Sequence, residues 1–238
     1  MKLALLGYGK MGQVIERIAL ERGHEIILKK TSSTTFEGIE NADVAIDFSV
    51  PDAAIENISE CLNKGIPVVS GTTGWLENYE KMVSLCNEKK GAFIYGSNFS
   101  LGVNLFFELN DYLAKMMSKF NQYQVSMEEI HHTHKLDKPS GTAISLANGI
   151  INHTKHKNWS IENSKPDDLF IDVKRIDAIP GTHSVFYTSN VDTIEIKHTA
   201  HSRDGFAIGS IIAAEWLIGK KGVFTMKDVL NIENNITF

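Results

Sequence analysis

Three histidines and a lysine fall within five residues in the stretch EEIHHTHKLDKPSGTAI (residues 128–144), and a Pro-Ser-Gly-Thr turn follows them. A metal centre would need ligand atoms converging on one point at about 2 Å. Along an extended strand side chains alternate faces, so His131, Thr133 and Lys135 would point one way and His132 and His134 the other. Adjacent histidines then diverge, and a lysine among them would repel a cation, so no metal site is expected. Acid/base work fits the residue types better. Histidine titrates near neutrality, while lysine supplies a fixed cation or, when desolvated, an acid. Pro139 and Ser140 then precede a helix whose first amides come from Gly141 and Thr142, and a helix N-terminus favours a carboxylate or phosphate. The stretch suits proton transfer on a carboxylated small molecule; a polar strand end is the plain alternative.

A second chemical signal stands near the amino end. LLGYGKMGQVI sets Gly7, Gly9 and Gly12 between an apolar run and a helical pattern, with Lys10 and Met11 inside the same turn. In that context Gly7 permits a tight turn, Gly9 lets the backbone approach a pyrophosphate, and Gly12 allows close helix packing. A dinucleotide is the expected ligand. NAD sites usually carry an Asp or Glu at the end of the second strand to hold the ribose 2′-hydroxyl. This chain has LKKTSS there instead, and Lys30 with its neighbouring hydroxyls suits a 2′-phosphate, which favours NADPH over NADH. Two further loops, DFSVPDA and SGTTGW, follow the third and fourth apolar runs. Gly71, Thr72 and Thr73 in the latter are small enough to approach a flat ring.

These loops need elements to position them. Through residue 95, short aliphatic runs (KLALLG, HEIILKK, ADVAIDFS, IPVVSG, AFIYG) alternate with helical patterns, which predicts a doubly wound parallel sheet of Rossmann type with ligands at the strands' carboxyl ends. After Gly102 the rhythm changes. A long amphipathic helix, a strand over QYQVSMEEIHH, a helix from Gly141 and three strands (LFIDVKRID, HSVFYTSN, DTIEIKHTAH) imply an α+β domain with an antiparallel or mixed sheet. Residues 153–168 carry no clear pattern. The apolar helix GFAIGSIIAAEWLIGKKG is expected to pack back on the first domain. With 238 residues, 42% of them hydrophobic, and a net charge of −5, the chain has ordinary globular composition and no basic excess for nucleic acid. Two isolated cysteines, no leader-like start and no long apolar run make a cytoplasmic protein the expectation, with no membrane partner.

Taken in order, GYGKMG, DFSVP, GTTG, SNFSLGVN, EEIHHTHKLDKPSGTA and HTAHSRDGFAIGSIIAAEWL closely resemble the dihydrodipicolinate reductase family, nicotinamide-dependent enzymes of the diaminopimelate route to lysine. The likeness spans nearly the whole chain, and the H-H-x-H-K-x-D-x-P-S-G-T-A run is its most specific part. It implies a discontinuous cofactor domain (1–101 with 207–238), a substrate domain that also tetramerises (102–206), and reduction of a cyclic imino-dicarboxylate by NADH or NADPH. By motif, His131 matches the acid/base histidine, Lys135 the proton-donating lysine and His132 a substrate contact. Ser140, Gly141 and Thr142 match the carboxylate cradle; Gly71, Thr72, Thr73, Gly96, Ser97, Asn98 and Phe99 match loops around the nicotinamide. Arg203 and Phe206 fall where the chain crosses back between domains, and the crossings near Phe99 and His201 are the expected hinges. The glycine turn is one residue shorter than the common G-x-G-G-x-M-G, and residues 31–41 are also short. Both differences concern the adenosine end of the cofactor. The competing assignment is another two-domain Rossmann dehydrogenase of amino-acid metabolism.

Overall fold

The computed structural model describes residues 1–162 and 167–232. In chain order the elements are β1 (Lys2–Leu6), α1 (Lys10–Glu21), β2 (Glu25–Lys30), β3 (Val44–Asp47), α2 (Pro51–Asn63), β4 (Val68–Ser70), α3 (Tyr79–Glu88), β5 (Ala92–Tyr95), α4 (Leu101–Met117), β6 (Gln124–His131), α5 (Gly141–Ile151), β7 (Asn158–Ser160), β8 (Asp168–Arg175), β9 (Gly181–Thr188), β10 (Thr193–Ala200), α6 (Asp204–Leu217), β11 (Gly222–Phe224) and α7 (Met226–Val229). The chain divides into two compact units: Met1–Ser100 with the segment from Asp204 onward, and Leu101–Arg203. The last six residues, 233–238, and residues 163–166 lie outside the described residues.

The first unit is a Rossmann-like sheet in the order β11-β5-β4-β3-β1-β2, with every pairing parallel. Central strands are apolar along their length because both faces are covered: Leu3 to Leu6, Val44 to Ile46, Val68, Val69, Phe93 and Ile94 are all buried. The edge strand β2 is only partly covered, which is why EIILKK tolerates its charges. On α1, Gly12, Ile15, Ile18 and Ala19 form the buried stripe. The helix α6 is apolar nearly all round and packs against α1, β3, β4 and β5. β11 extends the sheet beside β5, and the capping box of Thr225 and Asp228 opens α7. Neither short element is expected from the sequence, since three or four residues display no period.

The second unit is a mixed sheet in the order β10-β9-β6-β8-β7. Here β6 runs parallel to β8 and antiparallel to β9, while β9 and β10 form a hairpin. The strands β8 and β9 are consecutive in sequence, yet β6 lies between them. α4 and α5 cover one face. Phe106, Leu113, Ala114 and Met117 of α4 and Ala143, Leu146, Ala147 and Ile150 of α5 meet Met127, Leu169, Ile171, Val185 and Tyr187 of the sheet. β7 emerges from the unpatterned stretch after residue 153.

Candidate active site

In the first unit one row of the sheet aligns Lys30, Leu6, Asp47, Ser70 and Tyr95 in register at the strands' carboxyl ends. The residues that follow this row are therefore brought to one edge although they lie far apart in sequence. Gly7 has φ of +96°, and a Cβ there would lie 2.2 Å from the Phe48 carbonyl oxygen. A Cβ on Gly12 would lie 2.4 Å from the Gly7 oxygen, so only glycine fits either place. Gly9 differs, because among the described residues a Cβ there would meet nothing within 4 Å beyond its chain neighbours. Its open face leads to the start of α1 at Lys10 and Met11, which has no side-chain cap and no acidic residue in its first turn. Backbone amides and the positive end of the helix dipole face outward there, a fit for pyrophosphate.

The neighbouring loops are held from beneath by a buried carboxylate. Asp47 has no exposed surface and accepts hydrogen bonds from Ser49 Oγ at 2.6 Å, Ser70 Oγ at 2.8 Å and Asn57 Nδ2 at 2.9 Å. Burial raises its pKa, and these donors oppose the shift. Thr72 is buried too, and its Oγ1 accepts the Ser49 N–H at 2.8 Å, so this hydroxyl fastens the DFSVP and GTTG loops together. Thr73 stands exposed beside it. Gly71 passes so close to Phe48 that a Cβ would lie 2.3 Å from its ring. Gly96 and Ser97 shape the loop after β5, and Asn98 Oδ1 accepts the Ser100 N–H at 2.9 Å. Phe99 is buried with its ring edge-on to Phe48, so its side chain is a support of the loop rather than part of its surface. At the β2 end, Lys29 Nζ pairs with Glu16 at 2.5 Å, whereas Lys30 Nζ lies over the Phe36 ring at 4.4 Å.

In the second unit β6 ends at His131, and residues 132–135 form a turn in which Lys135 N donates to His132 O. Strand alternation thus holds for His131 and His132 but does not reach Thr133 and Lys135. His131 is buried, on the same face as Met127 and Glu129. His132 lies on the opposite face, where it lines an open groove of about 540 Å³ with His134, Asp177 and Arg203. Lys135 Nζ is ion-paired to Asp137 at 2.8 Å. Ser140 caps α5, its Oγ accepting the Ala143 N–H at 3.2 Å, and places Gly141 and Thr142 at the head of the helix. Among the described residues, nothing beyond its chain neighbours and its own helix backbone lies within 4 Å of a Cβ on Gly141, so that approach is open.

Three residues that sequence reasoning missed surround His131. The register sets His131 opposite Arg175 of β8 and Glu129 opposite His183 of β9. Glu129 is completely buried; its Oε1 accepts from Arg175 Nη2 at 3.0 Å and its Oε2 from Ser140 N at 3.0 Å. His131 Nδ1 lies 3.7 Å from Glu129, and the His131 and His183 rings meet edge-on at 5.0 Å. Burial lowers the His131 pKa, with Glu129 opposing and Lys135 and Arg175 reinforcing. Burial likewise brings His183 down to about 3, so it is neutral. Its Nε2 shares a 3.1 Å hydrogen bond with Ser140 Oγ. Ligand-type atoms of Glu129, His131 and His183 converge within 4.8 Å, a grouping that the divergence of neighbouring histidines does not anticipate. The Arg175 guanidinium already neutralises that carboxylate and opposes a cation there. Glu129 was legible in principle, since it stands two residues before His131 and so shares its face. Arg175 and His183 lie more than forty positions away and carried no local signal.

Two family models together match most of the chain: dihydrodipicolinate reductase, N-terminus, over residues 1–99, and dihydrodipicolinate reductase, C-terminus, over residues 102–230. A 4-hydroxy-tetrahydrodipicolinate reductase of Christiangramia forsetii is 53% identical over 234 residues, covering 97% of this chain and 98% of its own. A relative of the same name from Thermosipho africanus is 36% identical over 232 residues, with the same coverage. Among solved structures, a dipicolinate-bound dihydrodipicolinate reductase from a Paenisporosarcina species superposes with a TM-score of 0.76 at 21% identity, covering 98% of this chain and 99% of the other. The chain belongs to the dihydrodipicolinate reductase family.

Proposed function

We propose that the chain reduces 4-hydroxy-tetrahydrodipicolinate to tetrahydrodipicolinate, with loss of water, by means of the residues assembled in these two units. It is an oxidoreductase that uses a nicotinamide cofactor and a small-molecule substrate. The observation that carries the site assignment is the joining, in the second unit, of a buried histidine, a lysine and a capped helix start. Gly7, Gly9, Lys10, Met11 and Gly12 would hold the cofactor's pyrophosphate, and Thr73, Ser97 and the Gly71 and Gly96 backbones would border its nicotinamide. The 4-hydroxyl leaves as water with a hydrogen from an adjacent ring carbon, which gives a conjugated imine, and the cofactor, when bound, would supply a hydride to its C4. Electron density then builds toward the ring nitrogen and C3. Protonated His131 or the Lys135 ammonium lowers that barrier and delivers the proton. The Gly141 and Thr142 amides at the α5 N-terminus take one substrate carboxylate, and His132 contacts the substrate from the turn.

At the adenosine end we assign Lys30 to a 2′-phosphate and favour NADPH. Glu16 occupies Lys29, and the LKKTSS stretch supplies no acidic residue of its own at the end of β2 to receive a ribose diol. We further assign the enzyme to the cytoplasm, as its two cysteines are unpaired and buried. No helix among the described residues is long and apolar enough to cross a membrane. A homotetramer built through the second unit is supported by β10, an edge strand exposed at Thr193, Ile194 and Glu195. The test of the function is loss of NADPH or NADH absorbance by the purified protein, with substrate formed in situ from pyruvate and aspartate semialdehyde by the preceding synthase. Turnover should fall about 10²-fold in Lys135→Ala and in His131→Ala. Absence of substrate-dependent oxidation with either cofactor refutes the assignment.

A further inference from the structure

We propose that the buried Glu129–Arg175 pair is the positioning element of this site, bracing from one carboxylate both the loop that carries Lys135 and the helix start that carries Gly141 and Thr142. The inference rests on the function proposed above and extends it to two residues to which no role has so far been given. Glu129 Oε2 receives the Ser140 N–H at 3.0 Å, which fixes the cap of α5. Its Oε1 receives Arg175 Nη2, also at 3.0 Å. The guanidinium then donates to the carbonyls of Asp137 at 2.6 Å, Lys174 at 2.9 Å and Lys135 at 3.3 Å. One ion pair therefore ties β6, β8, the loop after His131 and the α5 N-terminus together.

Its chemistry explains why the pair is charged. A buried ion pair is often no more stabilising than apolar side chains of the same volume. Apolar residues, however, offer no directional ties to an amide and three carbonyls. The planar guanidinium fork fixes angles as well as distances. Glu129 also sets the charge around His131. The groups facing that ring are Glu129 on its own strand, Arg175 on β8, His183 on β9, and Lys135 and Asp137 in the loop. Glu129 is the one buried carboxylate among them and favours protonated His131, whereas Lys135 and Arg175 disfavour it. Both members of the pair act through their neighbours and are positioning residues.

The experiment compares the parent, Glu129→Gln, Glu129→Asp and Arg175→Lys by steady-state kinetics across pH, by calorimetric titration with pyridine-2,6-dicarboxylate, a planar cyclic dicarboxylate probe, and by circular dichroism for the folded fraction. Glutamine keeps the volume and an acceptor for Ser140 but removes the charge. Turnover per folded molecule should fall about 10- to 100-fold, the scale of a misplaced reacting group, and probe affinity about 10-fold. NADPH affinity, a property of the first unit, should stay unchanged. The alkaline limit of activity should move to lower pH, because without the carboxylate His131 loses its proton more readily. Glu129→Asp should restore part of the turnover and return the limit toward the parent's. If the glutamine variant does not fold, Arg175→Lys carries the test, with the same loss of turnover and probe affinity expected. Parent-like turnover per folded molecule and an unmoved pH limit in these variants overturn the proposal. If the parent shows no turnover, the function assignment fails, and the probe titration still decides the brace: equal affinities for parent and variants overturn it. Absence of both turnover and probe binding in the parent overturns both.

Discussion

Replacing Gly209 by alanine puts a methyl group where the backbone of α6 meets the carbonyl of Phe99. The new Cβ would lie 1.7 Å from that oxygen and 2.7 Å from its carbon. Both neighbours are backbone atoms, so no rotamer change relieves the overlap, and α6 or the loop after β5 must move. Such forced shifts cost about 1–3 kcal/mol, more in tight cases, against a gain of about 1 kcal/mol for alanine over glycine inside a helix. With overlap this deep, a net loss near 2 kcal/mol follows. Gly205 supplies the internal control. It lies in the first turn of the same helix, and a Cβ there would rest 3.5 Å from Ser100 Oγ, an ordinary contact. Gly205→Ala should therefore be neutral or gain up to about 0.5 kcal/mol. At about 3 °C per kcal/mol for a chain of this size, the two melting temperatures should differ by roughly 6–8 °C. Because Phe99 follows Gly96, Ser97 and Asn98, Gly209→Ala should also weaken NADPH binding, measured by fluorescence titration, while Gly205→Ala should not. Coincident or reversed melting temperatures would refute the steric reasoning.

Ser140→Ala removes both the cap of α5 and the hydrogen-bond partner of buried His183, a loss of about 2 kcal/mol in urea unfolding; a parent-like midpoint refutes it. Lys30→Glu should lower the NADPH-to-NADH ratio of kcat/KM by at least about tenfold, the effect of replacing one cation–phosphate contact by repulsion. Equal ratios would remove Lys30 from the 2′-phosphate site. His183 has a folded pKa near 3, below the ordinary value of 6.5, so the folded state favours its neutral form. Its contribution is complete above pH 6.5 and is lost as pH falls toward the folded value, with a slope of about 1.4 kcal/mol per pH unit. Urea midpoints measured between neutral and mildly acidic pH should fall less steeply in His183→Gln than in the parent, and identical slopes would refute the burial argument.

Much of this protein is legible along the chain because it is local. The alternation of short apolar runs with helical stripes specifies the parallel sheet, since strands buried on both faces must be apolar throughout. Gly7 and Gly12 are readable as turn glycines, and the structure gives the reason in backbone oxygens just over 2 Å from any Cβ. Ser140 as a helix cap before Gly141 and Thr142 is equally local. What the sequence could not supply depends on register. No period reveals that β6 inserts between β8 and β9, because pairing partners are chosen by the shared core of α4 and α5 rather than by adjacency. That insertion brings Arg175 and His183 against Glu129 and His131 and turns a line of histidines into a buried charged cluster. Likewise Phe99, by sequence one of several loop residues, becomes the buried floor of its loop only through contact with Phe48 and α6. The chain by itself offered the candidates for the chemistry; folding decided which of them face inward, which are held in place, and by what, because hydrogen bonds and burial join residues across strands that sequence order does not place together.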